Sequence, residues 1–183
     1  VQDLAARMAE QGLVYGEIRF APQLHGEKGL TQMQAVKAAL RGLEQAKKEH
    51  PAFTGQLILC CMRGGEEAAN RETLQVAART LGQGVCAVDL AGAEALYPTK
   101  AYAPLFAQAA RTGTPFTLHA GEAAGPESVW EALEMGARRI GHGVRSREDP
   151  RLVEVLAERR IPLELCATSN VQTKAVTGYE DFP

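Results

Sequence analysis

The sequence predicts an α/β fold built on a parallel sheet, and three observations carry that prediction. Six short β-like runs alternate with helical stretches at the spacing of repeated strand–helix–strand units. The helical stretches carry their own start and stop signals. Five of the six β-like runs end in small or polar residues: RFAP, DLAG, HAGE, GHG and CATSN. The runs themselves are LVYGEIRF (13–20), GQLILCCM (55–62), GVCAVDLAG (84–92), TPFTLHAGE (114–122), ARRIGHG (137–143) and IPLELCATSN (161–170).

Each helix is justified by its punctuation. The stretch from Thr31 opens with a Thr31/Gln34 capping-box pattern and closes before Pro51. EEAANRETLQVAARTLG ends at Gly82, a residue suited to a left-handed C-cap. TKAYAPLFAQAARTG follows Pro98 and ends at Gly113, with Pro104 best placed inside the first turn. GPESVWEALEMG has Pro126 near its start, and DPRLVEVLAERR pairs an Asp149 cap with Pro150 at the first helical position.

Two parallel architectures accommodate this order: the open doubly wound sheet and the (β/α)8 barrel. Polar residues at so many strand ends favour the TIM-type barrel, whose chemistry is gathered from the C-terminal ends of several strands. A dinucleotide-binding sheet fits poorly. The one G-x-G-x-x-A match, Gly82 to Ala87, precedes a strand where that fingerprint must follow one, and no phosphate-binding G-x-x-x-x-G-K loop is present.

Composition narrows the function. Twenty basic against 22 acidic residues leave a net charge of -2, and no like-charge run could track a phosphate backbone, so no nucleic-acid partner is expected. The longest apolar runs are strand-sized, far short of the roughly 20 residues of a membrane span, and nothing at the start reads as a signal peptide. Cys60, Cys61, Cys86 and Cys166 include no C-x-x-C spacing and read as buried free thiols in a reducing cytoplasm. With no repeat or linker, residues 1–183 are expected to form a single domain. Val1 at the start and DFP at the end read as cut ends.

The chemistry-bearing residues fall on successive strand ends. His119 follows the apolar PFTL, and Glu122 comes after Ala-Gly, small residues that permit close approach. Taken alone, His119 reads as a half-exposed histidine on a capped strand end. His142, between glycines in IGHG, reads alone equally as a structural or a catalytic histidine. Asp89 and Gly92 in VDLAGAE read either as a turn with a capping aspartate or as an acid beside a backbone N–H offered to a flat heterocycle. Thr168, Ser169 and Asn170 read as local turn hydrogen bonding, and His25 and His50 as surface residues. Considered together, two histidines and a carboxylate on neighbouring strand ends suit metal-assisted hydrolysis.

The stretches EIRFAPQLH, LILCCMR, VDLAGAEALYP, FTLHAGE, RIGHG and LELCATSNVQT, in this order, resemble those of the adenosine deaminase family of the amidohydrolase superfamily. The resemblance implies hydrolytic deamination of adenosine and deoxyadenosine to inosine and ammonia, with one Zn2+ per intact subunit and a small-molecule purine nucleoside as partner. It implies that His119 is a metal ligand, that Glu122 is the acid/base group serving purine N1, that His142 partners the attacking hydroxide, and that Gly92 donates its N–H to purine N3. It leaves open a related 6-aminopurine as substrate, such as adenine or an aminofutalosine-like nucleoside, and a catalytically inactive barrel relative serving as a binding module. The family's H-x-H pair and terminal aspartate pair have no counterpart here. By its pattern these residues are about six central βα units, strands two to seven, an incomplete metal-dependent hydrolase barrel domain expected to be inactive alone.

Overall fold

The central strand of the first sheet contains a continuous apolar run, LILCCM, as a strand covered on both faces must. In a computed structural model describing residues 1–183, β1 (Tyr15–Phe20) and β2 (Thr54–Met62) pair in parallel, from Tyr15 opposite Thr54 to Phe20 opposite Leu59. β3 (Val85–Ala91) completes the order β1-β2-β3. Residues Leu57 to Cys61 of β2 are all buried.

β4 (Thr117–Ala120), β5 (Arg139–His142) and β6 (Leu163–Glu164) form a second parallel sheet in that order. Between and around the strands run α1 (Gln2–Glu10), α2 (Gln32–Glu49), α3 (Glu67–Thr80), α4 (Ala103–Arg111), α5 (Pro126–Glu134), α6 (Pro150–Glu158) and α7 (Ala167–Gln172). None is long and apolar enough to cross a membrane.

The chain divides into two compact units: Val1–Cys61 with Gly65–Val88, and Met62–Gly64 with Asp89–Pro183. In the first, Val36 of α2, Leu74 and Ala77 of α3 and the buried face of β2 make the core. In the second, Phe106, Leu118, Val129, Ile140 and Leu152 are buried, and the Phe106 and Phe116 rings pack at 5.1 Å between centroids.

The helix signals act as their chemistry dictates. Thr31 accepts from the Gln34 amide while the Gln34 side chain accepts from the Thr31 amide, closing the capping box. Asp149 accepts from the amides of Arg151 and Leu152, with Pro150 at the first helical position. Gly82 takes φ +73°, just beyond the end of α3. Helix α1 has no counterpart among the predicted helices, because Val1 supplies no capping side chain to announce it.

Three expectations are corrected. The sixth β-like run forms a two-residue strand, and from Ala167 the chain coils into α7, where Asn170 N–H donates to Cys166 O at 2.8 Å. Short polar residues such as Thr168, Ser169 and Asn170 disfavour a strand and readily serve a helix start. The fourth run ends at Ala120 because Gly121 turns left-handed, at φ +70°. All four cysteines are free, but only Cys60 and Cys61 are buried; Cys86 and Cys166 are half-buried.

Candidate active site

β4 delivers His119. In the parallel register it lies opposite Gly141 of β5, where an added Cβ would come within 3.2 Å of both Cα and Nδ1 of His119. The missing side chain at Gly141 is what gives the imidazole its room. Nδ1 of His119 lies 2.8 Å from Oδ2 of Asp89, a fully buried carboxylate on β3 whose Oδ1 accepts the Leu90 amide at 2.7 Å. A carboxylate at one ring nitrogen keeps the proton there and presents Nε2, as behind metal-binding histidines.

His142 closes β5 with φ +64°, a left-handed conformation that costs a non-glycine residue about 1–3 kcal/mol. Its surroundings hold it there. Its Nε2 lies 3.4 Å from Glu122 Oε2, its Nδ1 3.1 Å from Asn170 Nδ2, and its ring centroid 5.1 Å from that of His119. Burial pushes the His142 imidazole below its ordinary pKa; the Glu122 carboxylate opposes that fall and the neighbouring His119 adds to it.

Glu122 sits on the loop after β4. Its Oε1 accepts from Asn170 Nδ2 at 3.1 Å and from Thr173 Oγ1 at 2.9 Å. An acceptor-only carboxylate requires Asn170 to turn its NH2 group this way. The second N–H of that group then meets Nδ1 of His142, which must accept it. A neutral His142 therefore carries its proton on Nε2, the nitrogen that faces Glu122.

Of the residues singled out in the sequence, His119, Glu122 and His142 thus come together, with Asp89 behind the first. Gly92 lies just past β3 at φ +107°, and a Cβ there would press on Arg63 at 3.2–3.4 Å, against both side chain and backbone. Close approach and left-handed backbone both call for glycine at this position, independently of any ligand.

Three site residues escaped the sequence reading. Asn170, fully buried, orients both Glu122 and His142; its helix replaced the expected turn, and only its place in CATSN pointed to it. Arg63, at the end of LILCCMR, is 5% exposed and donates to the carbonyls of Tyr97 at 2.7 Å and His119 at 2.6 Å and to Thr99 Oγ1 at 2.9 Å. Glu94, 6% exposed, accepts from the amides of residues 121–124. No local pattern distinguishes these two from surface charges, because their burial depends on distant packing.

The family model for adenosine deaminase matches residues 1–183. The chain belongs to the adenosine deaminase family. An adenosine deaminase of Haemophilus ducreyi is 50% identical over 187 residues, an alignment covering 100% of this chain and 54% of that protein. The chain thus spans about half the length of the curated relatives it matches. Among solved structures, an adenine deaminase from Arthrobacter aurescens superposes with a TM-score of 0.88 at 28% identity, over 100% of this chain and 55% of that one. A zinc-bound amidohydrolase from Burkholderia ambifaria shares the fold, with a TM-score of 0.87 at 18% identity over 99% and 51% of the two chains. The parallel βα units of this chain are accordingly part of a TIM-type barrel, the fold class expected.

Members of this superfamily are generally metal-dependent. No group of three or more His, Cys, Asp or Glu side chains in this chain is arranged to hold a metal ion. The residues present fit one position of such a site: the Nε2 of His119, with Asp89 behind the ring.

Proposed function

We propose that these residues carry the proton-transfer part of an adenosine deaminase site, and that the whole protein converts adenosine to inosine and ammonia with zinc. The observation that carries the proposal is the placement of Glu122 within 3.4 Å of His142 Nε2, both held by the amide of Asn170. Family membership and the oriented His119 support it. In this reading His119 gives Nε2 as one zinc ligand, and the remaining ligands come from outside these 183 residues. Zinc, when bound, lowers the pKa of a water it holds from ~15.7 to ~7.

The rest of the chemistry falls to this chain. Glu122 takes a proton from the attacking water through Oε2 and gives one to N1 of the purine ring, so that the ring accepts the addition at C6. His142 donates its Nε2–H to the attacking oxygen and steadies the charge that develops there. Asn170 and Thr173 fix the Glu122 carboxylate so that the exchange is made in one geometry. Gly92 N–H is assigned to purine N3, and Arg63, just past β2, holds the backbone that leads into Gly92 through its amide, which donates to Ala91 O at 2.8 Å.

The test is ammonia release by the zinc-loaded full-length protein from a panel of adenosine, deoxyadenosine, adenine and a 6-aminopurine nucleoside with a modified 5′ end. Fastest release from adenosine is expected. Preference for adenine would transfer the assignment to that base, and release from none would overturn the enzymatic reading in favour of a binding module.

A further inference from the structure

Between β4 and α5 the chain turns four consecutive amides, those of Gly121, Glu122, Ala123 and Ala124, toward one point. A run of inward N–H groups of this kind makes a concavity for an anion, and the φ of +70° at Gly121 begins it. The anion is supplied by the chain itself. Glu94 Oε1 accepts from Gly121 N at 2.7 Å, and Oε2 accepts from Glu122, Ala123 and Ala124 N at 3.1, 2.8 and 3.0 Å. Ser128 Oγ adds a fifth donor at 2.5 Å to Oε1.

The other side of the same segment is gripped by a cation. Arg63 donates to His119 O at 2.6 Å and to Thr99 Oγ1 at 2.9 Å. Thr99 Oγ1 lies 2.7 Å from Ser128 Oγ, which leads back to Glu94. A buried chain, Arg63–Thr99–Ser128–Glu94, therefore holds residues 119–124 by one carbonyl and four amides. Along it, the hydrogen bonds of Arg63 and Glu94 go to the backbone of residues 119–124 and to Thr99 and Ser128, while the Glu122 carboxylate and the His142 ring are bonded by Asn170 and Thr173.

We infer that Glu94 is a positioning residue for the site: by holding the amide of Glu122 and its three neighbours it sets where the Glu122 carboxylate stands relative to His142. The inference rests on the reading of Glu122 as the acid/base group. Side-chain partners alone leave the loop backbone undetermined, since Asn170 and Thr173 hold the far end of a three-bond side chain. With Glu94 in place the near end is fixed as well, and the carboxylate has one position. Glutamine at position 94 would turn an N–H group toward the amide cluster and break the arrangement with almost no change in volume.

The experiment compares wild-type, Glu94→Gln and Ser128→Ala full-length protein, each zinc-loaded and checked for folding by Trp130 fluorescence. Expected for Glu94→Gln are a fall in kcat of about 30-fold or more, KM for adenosine within about threefold, unchanged zinc content, and faster hydrogen exchange confined to the amides of 121–124. Ser128→Ala, which leaves the four amides bonded, should lower kcat a few-fold with a smaller rise in exchange, and it decides the matter if Glu94→Gln does not fold. Unchanged kcat and unchanged exchange in a folded variant overturn the inference. Uniformly lower stability with normal kcat per folded molecule overturns it too, since a purely structural role predicts that result. If wild-type protein releases no ammonia from any purine, the functional reading fails, while the exchange of 121–124 still decides whether Glu94 holds the loop.

Discussion

His119 on β4 and Glu122 on the loop just after it lie three residues apart, yet their side chains are held by different partners and should fail differently. In the full-length protein Glu122→Gln keeps the side chain's shape but removes the carboxylate that exchanges the proton, so zinc content should stay unchanged while turnover falls by orders of magnitude. His119→Ala removes the imidazole that Asp89 orients, and metal content should fall with activity. Zinc analysis beside a turnover assay separates the two; a His119→Ala protein with full zinc would remove that residue from the ligand set. His142 supports a test of stability. Its backbone sits at φ +64°, so His142→Gly and His142→Ala should both abolish turnover, but glycine relieves a strain of about 1–2 kcal/mol that alanine keeps. Part of that gain is offset by the roughly 0.4–1 kcal/mol that glycine loses through unfolded-state freedom. Chemical denaturation should therefore find the glycine variant more stable than the alanine variant by about 0.5–1 kcal/mol. Equal stability would mean that the loop relaxes once the ring is gone.

At the scale of the element, the β4–β5 pair and the α6 N-terminus each have a weak point that can be probed. Gly141→Ala places a Cβ within 3.2 Å of the His119 backbone and ring; displacing a side chain in a packed pair costs about 1–3 kcal/mol, and turnover should drop while the circular dichroism of the sheet persists. The α6 start is a pH probe. Asp149 accepts from the Trp130 indole at 2.8 Å and from two amides, and these bonds, the indole's first, hold its carboxyl below the ordinary aspartate value. Because the folded-state pKa is depressed, this stabilisation is present above the unfolded value of about 3.9 and lost as pH falls below it. Wild-type protein should lose thermal stability more steeply than Asp149→Asn between about pH 5 and 3, with Trp130 fluorescence following the same course. Elements of this kind were legible in the sequence because their signals are local: the Thr31/Gln34 box, Asp149-Pro150 and the apolar run of β2 each need only neighbouring residues. The buried placement of Asn170, Arg63 and Glu94 was not, since each depends on groups tens of residues away, as when Glu94 meets the amides of 121–124. His119, Glu122 and His142 could be singled out by their places at strand ends, while the bonds that orient them could not.

At the scale of the whole molecule, metal binding is a test of how much of the site these residues contain. One imidazole backed by a carboxylate is a weak zinc site, and no group of three or more candidate ligands lies elsewhere in the chain. A ligand that binds only the native state raises stability by RT ln(1 + [L]/Kd), about 2.7 kcal/mol at one hundred times Kd. The 183-residue chain, titrated with zinc at micromolar concentrations, is therefore expected to show neither stoichiometric binding by equilibrium dialysis nor an increase in Tm, whereas the full-length protein should show both. A rise in Tm for the 183-residue chain that disappears in His119→Ala would mean that a second copy completes the coordination, and its dependence on protein concentration would follow. A rise that persists in His119→Ala would place the metal elsewhere and detach His119 from metal chemistry. Adenosine offers the parallel measurement: without a full metal site the water is not activated near neutral pH, so the same chain should release no ammonia even though Glu122 and His142 stand in hydrogen-bonding order.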